Sequence, residues 1–297
     1  MKISVITNGI SQDYETCCKV LNETGVKYAE LQEVYGKRVE LLTEEEAQKI
    51  KALNSQYGIK PVSVTTHAFA GVDVMSLEIG DETYEKHMNL LKNGIRVAKI
   101  VGAPQVRAMP FTKAIVLHGA HGSDQWNAGG NKAWPKFIEL YRPIAKLAGD
   151  EDITITVENG FNAMIVSGYQ CRKFIEELGC EKIKILWDPA NALYYGDIPY
   201  PDAYNEVKGS LGHVHIKDLN CSLIEGWVDI KNIGHGMLAP YLDDIRAALE
   251  RDGYDGYISL ENILRPDGGD YVDGYYLDIP ELKKRFEYPK RKVNRRM

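Results

Sequence analysis

Short runs of β-branched and aliphatic residues, each bounded by Gly, Pro, Asn or Asp, recur along the whole chain with room for a helix between them. Eight such runs predict strands at Ile3 to Thr7, Tyr28 to Val34, Val62 to Thr66, Gln105 to Met109, Ile153 to Glu158, Ile183 to Asp188, His213 to Lys217 and Tyr257 to Glu261. Several are continuously apolar, the pattern of parallel strands covered on both faces. Between them the period becomes helical. Trp134, Phe137, Ile138, Tyr141, Ile144, Ala145 and Ala148 form one stripe, and Leu238, Tyr241, Leu242, Ile245, Ala248 and Leu249 form another.

Eight alternations of strand and helix, with no Pro- or Gly-rich linker between halves, predict one (β/α)8 TIM barrel over residues 1–297 in preference to two doubly wound domains. No G-x-G-x-x-G follows any predicted strand, which weakens the doubly wound alternative. In such a barrel, function sits in the loops after the strand C-termini. The longest, Pro110 to Asn131, carries His118, His121, Asp124, Gln125 and Trp126 among Gly119, Gly122, Gly129 and Gly130. That composition suits a lid with polar contacts.

With 44% hydrophobic and 26% charged residues in a chain of 297, the composition is that of a globular protein able to bury a core. The apolar runs are far shorter than the roughly 20 residues a membrane crossing needs, and Met1-Lys2-Ile3-Ser4 opens no signal peptide, so a cytoplasmic protein is expected. The cysteines (Cys17, Cys18, Cys171, Cys180, Cys221) form no C-x-x-C pair and read as buried or free thiols. The net charge is −6, but residues 283–297 hold eight basic residues and one acid, Glu287, leaving the remainder at −13. An acidic body disfavours nucleic acid as a partner. The basic C-terminal tail reads as solvated, or as an arm docking on an acidic neighbour in a homo-oligomer or on a small partner subunit.

Candidate chemistry gathers at the predicted strand ends. Strand 5 ends in Glu158-Asn159, strand 6 in Asp188-Pro-Ala-Asn191, strand 7 runs His213-Val-His215-Ile-Lys217-Asp218, and strand 8 ends in Glu261-Asn262. Each acid alone could cap a helix or pair with a lysine. Four neighbouring apolar strands would not carry such groups at one end without a charge to balance them. Glu158, Asp188, His215 and Glu261 together suit one divalent ion, Mn²⁺ first, with Mg²⁺, Co²⁺ or Zn²⁺ also accepted.

Strand alternation turns His213, His215 and Lys217 to one face, with His213 as an interior histidine. Lys217 would bind a substrate oxygen, act as an acid, or pair with Asp218. His67, Arg107 and Glu30 are candidate contacts to a hydroxylated ligand, or Glu30 and Arg107 form an ion pair in the barrel mouth. Trp126, Trp134 and Trp187 could wall a sugar face, although Trp134 fits its helix stripe.

Ile-Thr-Val-Glu158-Asn, Leu-Trp-Asp188-Pro-Ala-Asn, His-Val-His215-Ile-Lys-Asp, Gly234-His235-Gly236 and Asp-Gly-Tyr-Ile-Ser-Leu-Glu261 resemble the sugar phosphate isomerase/epimerase superfamily, the xylose isomerase-like barrels. The resemblance covers nearly the whole chain. It implies Glu158, Asp188, His215 and Glu261 as metal ligands, Glu158 and Glu261 as the proton-moving groups of the ketose epimerases, and Asn191 and His235 as substrate contacts. A metal on a carbonyl and an adjacent hydroxyl oxygen would stabilise an enediolate, so that a nearby carboxylate can act as base.

The departures are specific. Those epimerases carry Asp-x-x-His on strand 6 and an Arg soon after strand 7, whereas this chain has Asp188-x-x-Asn191 and no Arg between Arg172 and Arg246. The Asp-x-His that apurinic-site endonucleases of the superfamily use for a three-zinc cluster is replaced by Asp229-Ile230-Lys231. His118-Gly-Ala-His121-Gly-Ser-Asp-Gln-Trp-Asn, with Arg265-Pro-Asp-Gly-Gly-Asp270, is similar to the large subunits of C-glycoside deglycosidases, which pair with a small β subunit. That similarity implies His118 or His121 as an additional acid or base for elimination from a 3-keto sugar; otherwise both histidines only decorate the loop.

The expectation is a metal-dependent sugar isomerase or epimerase that abstracts a proton beside a carbonyl. The alternative is a lyase or dehydratase, on a 3-keto glycoside or a keto-inositol, that begins the same way. A non-catalytic sugar-binding barrel is disfavoured because no ligand is lost. No Gly-rich phosphate loop is evident, so the sugar or sugar conjugate is expected to be unphosphorylated.

Overall fold

The computed structural model describes residues 1–112, 132–194, 196–222 and 224–287. Its centre is a closed parallel barrel, which excludes the doubly wound alternative. In chain order the strands are β1 (Lys2–Ile6), β2 (Tyr28–Leu31), β3 (Glu33–Val34), β4 (Lys37–Arg38), β5 (Lys60–Thr65), β6 (Gln105–Ala108), β7 (Thr154–Glu158), β8 (Ile183–Trp187), β9 (Leu211–Ile216), β10 (Asp218–Ser222), β11 (Trp227–Lys231) and β12 (Tyr257–Leu260). Around the barrel they run β1-β12-β9-β8-β7-β6-β5-β2, with β2 hydrogen-bonded to β1. The eight barrel strands fall on the eight apolar runs of the sequence.

One predicted strand is too long. Tyr28 to Val34 divides, because Tyr35 (φ 57°) and Gly36 (φ 70°) form a two-residue left-handed turn that folds β3 antiparallel onto β4. The hairpin of β10 and β11 is likewise antiparallel and stands outside the barrel, after β9.

The apolar core lies between the barrel wall and the helical ring. Outward residues such as Val5, Val106, Ile155, Val214 and Ile258 pack with the helix stripes. Among the described residues the helices are α1 (Tyr14–Glu23), α2 (Glu44–Tyr57), α3 (Glu82–Val101), α4 (Ala133–Asp150), α5 (Gly168–Leu178), α6 (Pro189–Leu193), α7 (Tyr204–Val207), α8 (Leu242–Arg251) and α9 (Tyr271–Phe286), with α3 before β6, α4 before β7, α8 before β12 and α9 after it. The stripe from Trp134 to Ala148 is buried along α4, whereas the stripe opening at Leu238 starts its α-helix only at Leu242, after a 3₁₀ turn containing Pro240. Trp187 is fully buried beside Tyr204, so it belongs to this core and walls no site. Lys283 to Phe286 form the last turn of α9, so the predicted tail begins as helix; residues 288–297 lie outside the described residues.

Inside the barrel, polar groups replace the usual branched aliphatics. Ser4, Glu30, Ser63, Thr65, Arg107, Thr156, His213, His215 and Ser259 are all buried. Two bulges adjust the wall beside them, one between Ala29 and Glu30 and one between Ile185 and Leu186. At the second, Gly212 is skipped in the pairing; a Cβ there would lie 2.6 Å from Cβ of Lys184. Glycine therefore permits the bulge that offsets His213 against β8. No helix among the described residues is long and apolar enough to cross a membrane.

Candidate metal centre

Four adjacent strands, β7, β8, β9 and β12, deliver Glu158, Asp188, His215 and Glu261 to the C-terminal mouth of the barrel. One ligand atom from each lies within 4.8 Å of the others. Glu158 is the last residue of β7, so the pleat turns it inward while Val157 packs outward. Its Oε2 accepts from Arg107 Nη1 at 2.6 Å, and its Oε1 lies 3.3 Å from His215 Nδ1. Burial pushes the Glu158 carboxyl up, but Arg107 and then His215 outweigh it and hold the group at about 2.

Asp188 follows β8 and caps the short helix α6 (Pro189–Leu193), where Oδ1 accepts from the amides of Ala190 at 2.8 Å and Asn191 at 3.1 Å. Asn159 clamps the backbone of Asp188 from both sides. Its Oδ1 accepts from the Asp188 amide and its Nδ2 donates to the Asp188 carbonyl, each at 2.8 Å. Asn191 Nδ2 donates to the Asn159 carbonyl at 2.8 Å and to Glu158 Oε1 at 3.4 Å. Asp188 Oδ2 is thus left facing the mouth, where it accepts from Lys217 Nζ at 2.5 Å. Burial raises the Asp188 carboxyl, Lys217 opposes, and the Glu261 and Glu158 carboxylates add to the rise, leaving it at about 7.

Lys217 bridges Asp188 Oδ2 and Glu261 Oε2. Burial pulls its pKa down, yet Asp188 and then Glu261 outweigh it and hold the ammonium charged. Glu261 is the most open of the four ligand candidates, with a side chain 20% exposed against 4% for Glu158. Burial raises its carboxyl, but Lys217 outweighs this and keeps it ionised. Burial also opposes charge on His215, but Glu30 and then Glu158 hold the imidazole protonated well above its ordinary range.

Burial apart, the rises at Asp188, His215 and Lys217 all answer to neighbouring carboxylates, whereas Glu158 and Glu261 are held down by the cations beside them. Among the described residues, Glu30, Glu158, Asp188 and Glu261 face only Arg107 and Lys217 as fixed cations. A single divalent ion with neutral His215 would close the gap, and three carboxylate oxygens with one imidazole nitrogen form a donor set for a hard or borderline ion. The residues present therefore fit a metal, which Glu158, Asp188, His215 and Glu261 would hold.

The other sequence candidates divide. Glu30 does not pair with Arg107 at the mouth; it lies inside the barrel, bonded to both His213 and His215, because the bulge after Ala29 sets it against Ser63 of β5. Arg107 instead reaches Glu158, with Nε donating to the Thr66 carbonyl. Lys217 pairs with Asp188 and Glu261 rather than with Asp218. His67 is half-buried beside Arg107, and burial and then the Arg107 charge lower its imidazole to about 4. His235 is exposed and outside the cluster. His118, His121 and Trp126 lie outside the described residues.

Three groups escaped the sequence reading. Glu40, fully buried, accepts from the His67 amide at 3.0 Å. Asn159 is the clamp on Asp188, although its place beside Glu158 at a strand end was a signal. Asp218 accepts four backbone amides, from Leu219, Gly234, Gly236 and Leu238, each at 2.9 Å. It fixes the loop that carries His235.

A sequence profile described as Xylose isomerase-like TIM barrel matches residues 18–275. The chain belongs to the xylose isomerase-like TIM barrel family. No curated relative matches it by sequence. Among solved structures, this xylose isomerase-like barrel is similar to the 3-keto-D-glucoside 4-epimerase YcjR from E. coli, at 17% identity over 96% of this chain and 100% of that one, with a TM-score of 0.68. It is similar to the probable 3-DHS dehydratase AsbF from Bacillus anthracis, at 13% identity over 95% and 99%, with a TM-score of 0.72. The D-psicose 3-epimerase from Clostridium cellulolyticum H10 matches at 16% identity over 95% and 92%, with a TM-score of 0.66. At these identities the likeness establishes the fold. The similarity to C-glycoside deglycosidases finds no support in these matches.

Proposed function

We propose that this protein is a divalent-metal-dependent sugar isomerase or epimerase that moves a proton at the carbon beside a carbonyl. The observation that carries this reading is the convergence of Glu158, Asp188, His215 and Glu261 within 4.8 Å at the barrel mouth, with more negative charge than Arg107 and Lys217 can balance. When bound, the ion, Mn²⁺ first, would supply a Lewis acid that polarises a carbonyl and an adjacent hydroxyl.

The chain's own residues account for the rest. Glu158 and Glu261 stay ionised at neutral pH, so each can take a proton. Arg107 fixes one Glu158 oxygen, and Asn191 and His215 approach the other. Glu261, the more open carboxylate, faces the side from which a sugar would enter. Lys217 donates to Asp188 and Glu261 and could pass a hydrogen bond to a substrate oxygen. Sugar epimerases are among the structures sharing the fold, as is a probable dehydratase. A lyase on an oxidised sugar would use the same first step and then expel a group instead of returning the proton.

The test is proton NMR in D₂O on ketoses, inosose and 3-keto glycosides, with Mn²⁺ or with EDTA. Chelator-sensitive deuterium uptake into an intact carbon skeleton is expected. Glu158→Gln and Glu261→Gln should each slow it by at least about 10²-fold. Release of water or an aglycone would replace this reading by the lyase. Exchange indifferent to both chelator and variants would overturn it.

A further inference from the structure

Beneath the candidate metal centre lies a second buried group, Glu30, His213 and His215, that shares only His215 with it. Both oxygens of Glu30 are used. Oε2 lies 2.9 Å from His213 Nε2 and Oε1 lies 2.9 Å from His215 Nε2, with all three side chains sealed from solvent. Thr65 Oγ1 adds a hydrogen bond to Oε1. The imidazole rings are 5.5 Å apart and nearly perpendicular, at 80°, so two nitrogens from one strand converge on a single carboxylate of another. Among the described residues His213 Nδ1 has no hydrogen-bond partner, so Nε2 is the ring nitrogen whose proton finds an acceptor.

We infer that Glu30 and His213 are positioning residues: Glu30 accepts Nε2–H from both histidines and thereby fixes the tautomer and ring plane in which His215 presents Nδ1 to Glu158, Asp188 and Glu261. A carboxylate behind a ligating histidine sets which nitrogen carries the proton and keeps the ring from turning. Here the device is doubled. His213 occupies the second oxygen, so Glu30 cannot rotate away without stranding a buried N–H. The bulge after Ala29 and the skipped Gly212 bring the two strands into this register. The inference rests on the metal-binding reading of the proposed function.

Glu30→Gln is a discriminating substitution. A carboxamide has nearly the same shape but only one acceptor oxygen, and its NH₂ would meet an imidazole N–H donor to donor. Whichever histidine then changes tautomer, His215 loses the ionised carboxylate that anchors its ring. Calorimetric titration with Mn²⁺ alone, without substrate, should show one equivalent bound by the wild type and affinity weakened by about 10- to 100-fold in Glu30→Gln. Ser4→Ala, which removes a hydroxyl bonded to Ser259 and none of the hydrogen bonds of Glu30, His213 or His215, should bind as the wild type does.

Nitrogen-15 NMR of histidine-labelled wild type loaded with diamagnetic Zn²⁺ needs no variant to fold. It should show His215 with Nε2 protonated and Nδ1 bound to metal. Unchanged Mn²⁺ affinity in Glu30→Gln, or a protonated Nδ1 on His215, would overturn this inference while leaving the metal centre intact. Two tight equivalents, one needing His213, would also overturn it by making the trio a metal site. No Mn²⁺ binding by the wild type would overturn the metal reading and this inference together.

Discussion

Asp278 on α9 is buried and accepts from the Ile233 amide at 2.8 Å and from the Asn232 side chain, gripping the far end of the loop that Asp218 holds. Burial pushes its carboxyl from 3.8 up to about 6 against those hydrogen bonds. The folded state therefore keeps its proton longer than the unfolded chain. Stability from this group is greatest below the unfolded value and falls as pH rises through the window from 3.8 to about 6. Between pH 4.5 and 7 the wild type should lose about 2 kcal/mol relative to Asp278→Asn, which cannot ionise but can still accept both hydrogen bonds. Urea unfolding across that range measures the difference; parallel profiles would refute the assignment. At this scale the chain was partly legible. Glu158, Asp188, His215 and Glu261 could be placed at one end of adjacent strands from alternation alone. Glu30 could not, because a bulge changes which residue it meets, and Glu40 and Asp218 act through backbone amides that have no signature in sequence.

At the scale of elements, α3 meets the end of β5 through a glycine. A Cβ on Gly94 would lie 2.4 Å from Thr66 Cγ2. Thr66 cannot easily turn aside: its hydroxyl donates to the Arg107 carbonyl at 2.7 Å and accepts from the Ala68 amide at 3.2 Å. Alanine would gain about 1 kcal/mol of helix propensity, but overpacking against a fixed side chain costs about 1–3 kcal/mol. Gly94→Ala should therefore destabilise the protein overall. The strain would also reach Arg107, whose Nε holds the Thr66 carbonyl at 3.2 Å. Gly149→Ala on α4, where a new Cβ meets nothing within 4 Å, should instead be stabilising by a few tenths of a kcal/mol or more. Equal effects of the two substitutions on unfolding midpoints would contradict the packing argument. Each barrel strand sends β-branched or aliphatic residues outward at alternate positions between turn residues, so all eight were readable even though polar groups face the interior. The hairpins were not, because Tyr35-Gly36 lacks the usual Asn-Gly or Asp-Gly turn signal and β10 and β11 mix apolar and polar residues without a buried face to pattern them.

For the whole molecule, the decisive quantity is the charge enclosed by the barrel. Four carboxylates against Arg107 and Lys217 leave the protein holding negative charge that it relieves in part by protonating His215 and raising Asp188. A divalent ion would remove that burden and bind the folded chain only, since the ligands come from four strands spread between Glu158 and Glu261. At a free Mn²⁺ concentration 1,000 times its dissociation constant, the gain would be about 4 kcal/mol. For a protein of this size that corresponds to a rise in Tm on the order of 10 °C, reversed by EDTA. The sign of its pH dependence follows from His215. The metal needs the neutral imidazole, so binding expels a proton that the metal-free site holds tightly. The Mn²⁺-induced rise should therefore shrink as pH falls, and it should be largely lost in Glu158→Gln at every pH. A thermal shift indifferent to pH, or one that survives that substitution, would place the ion elsewhere and leave the buried charge to be balanced by protons alone.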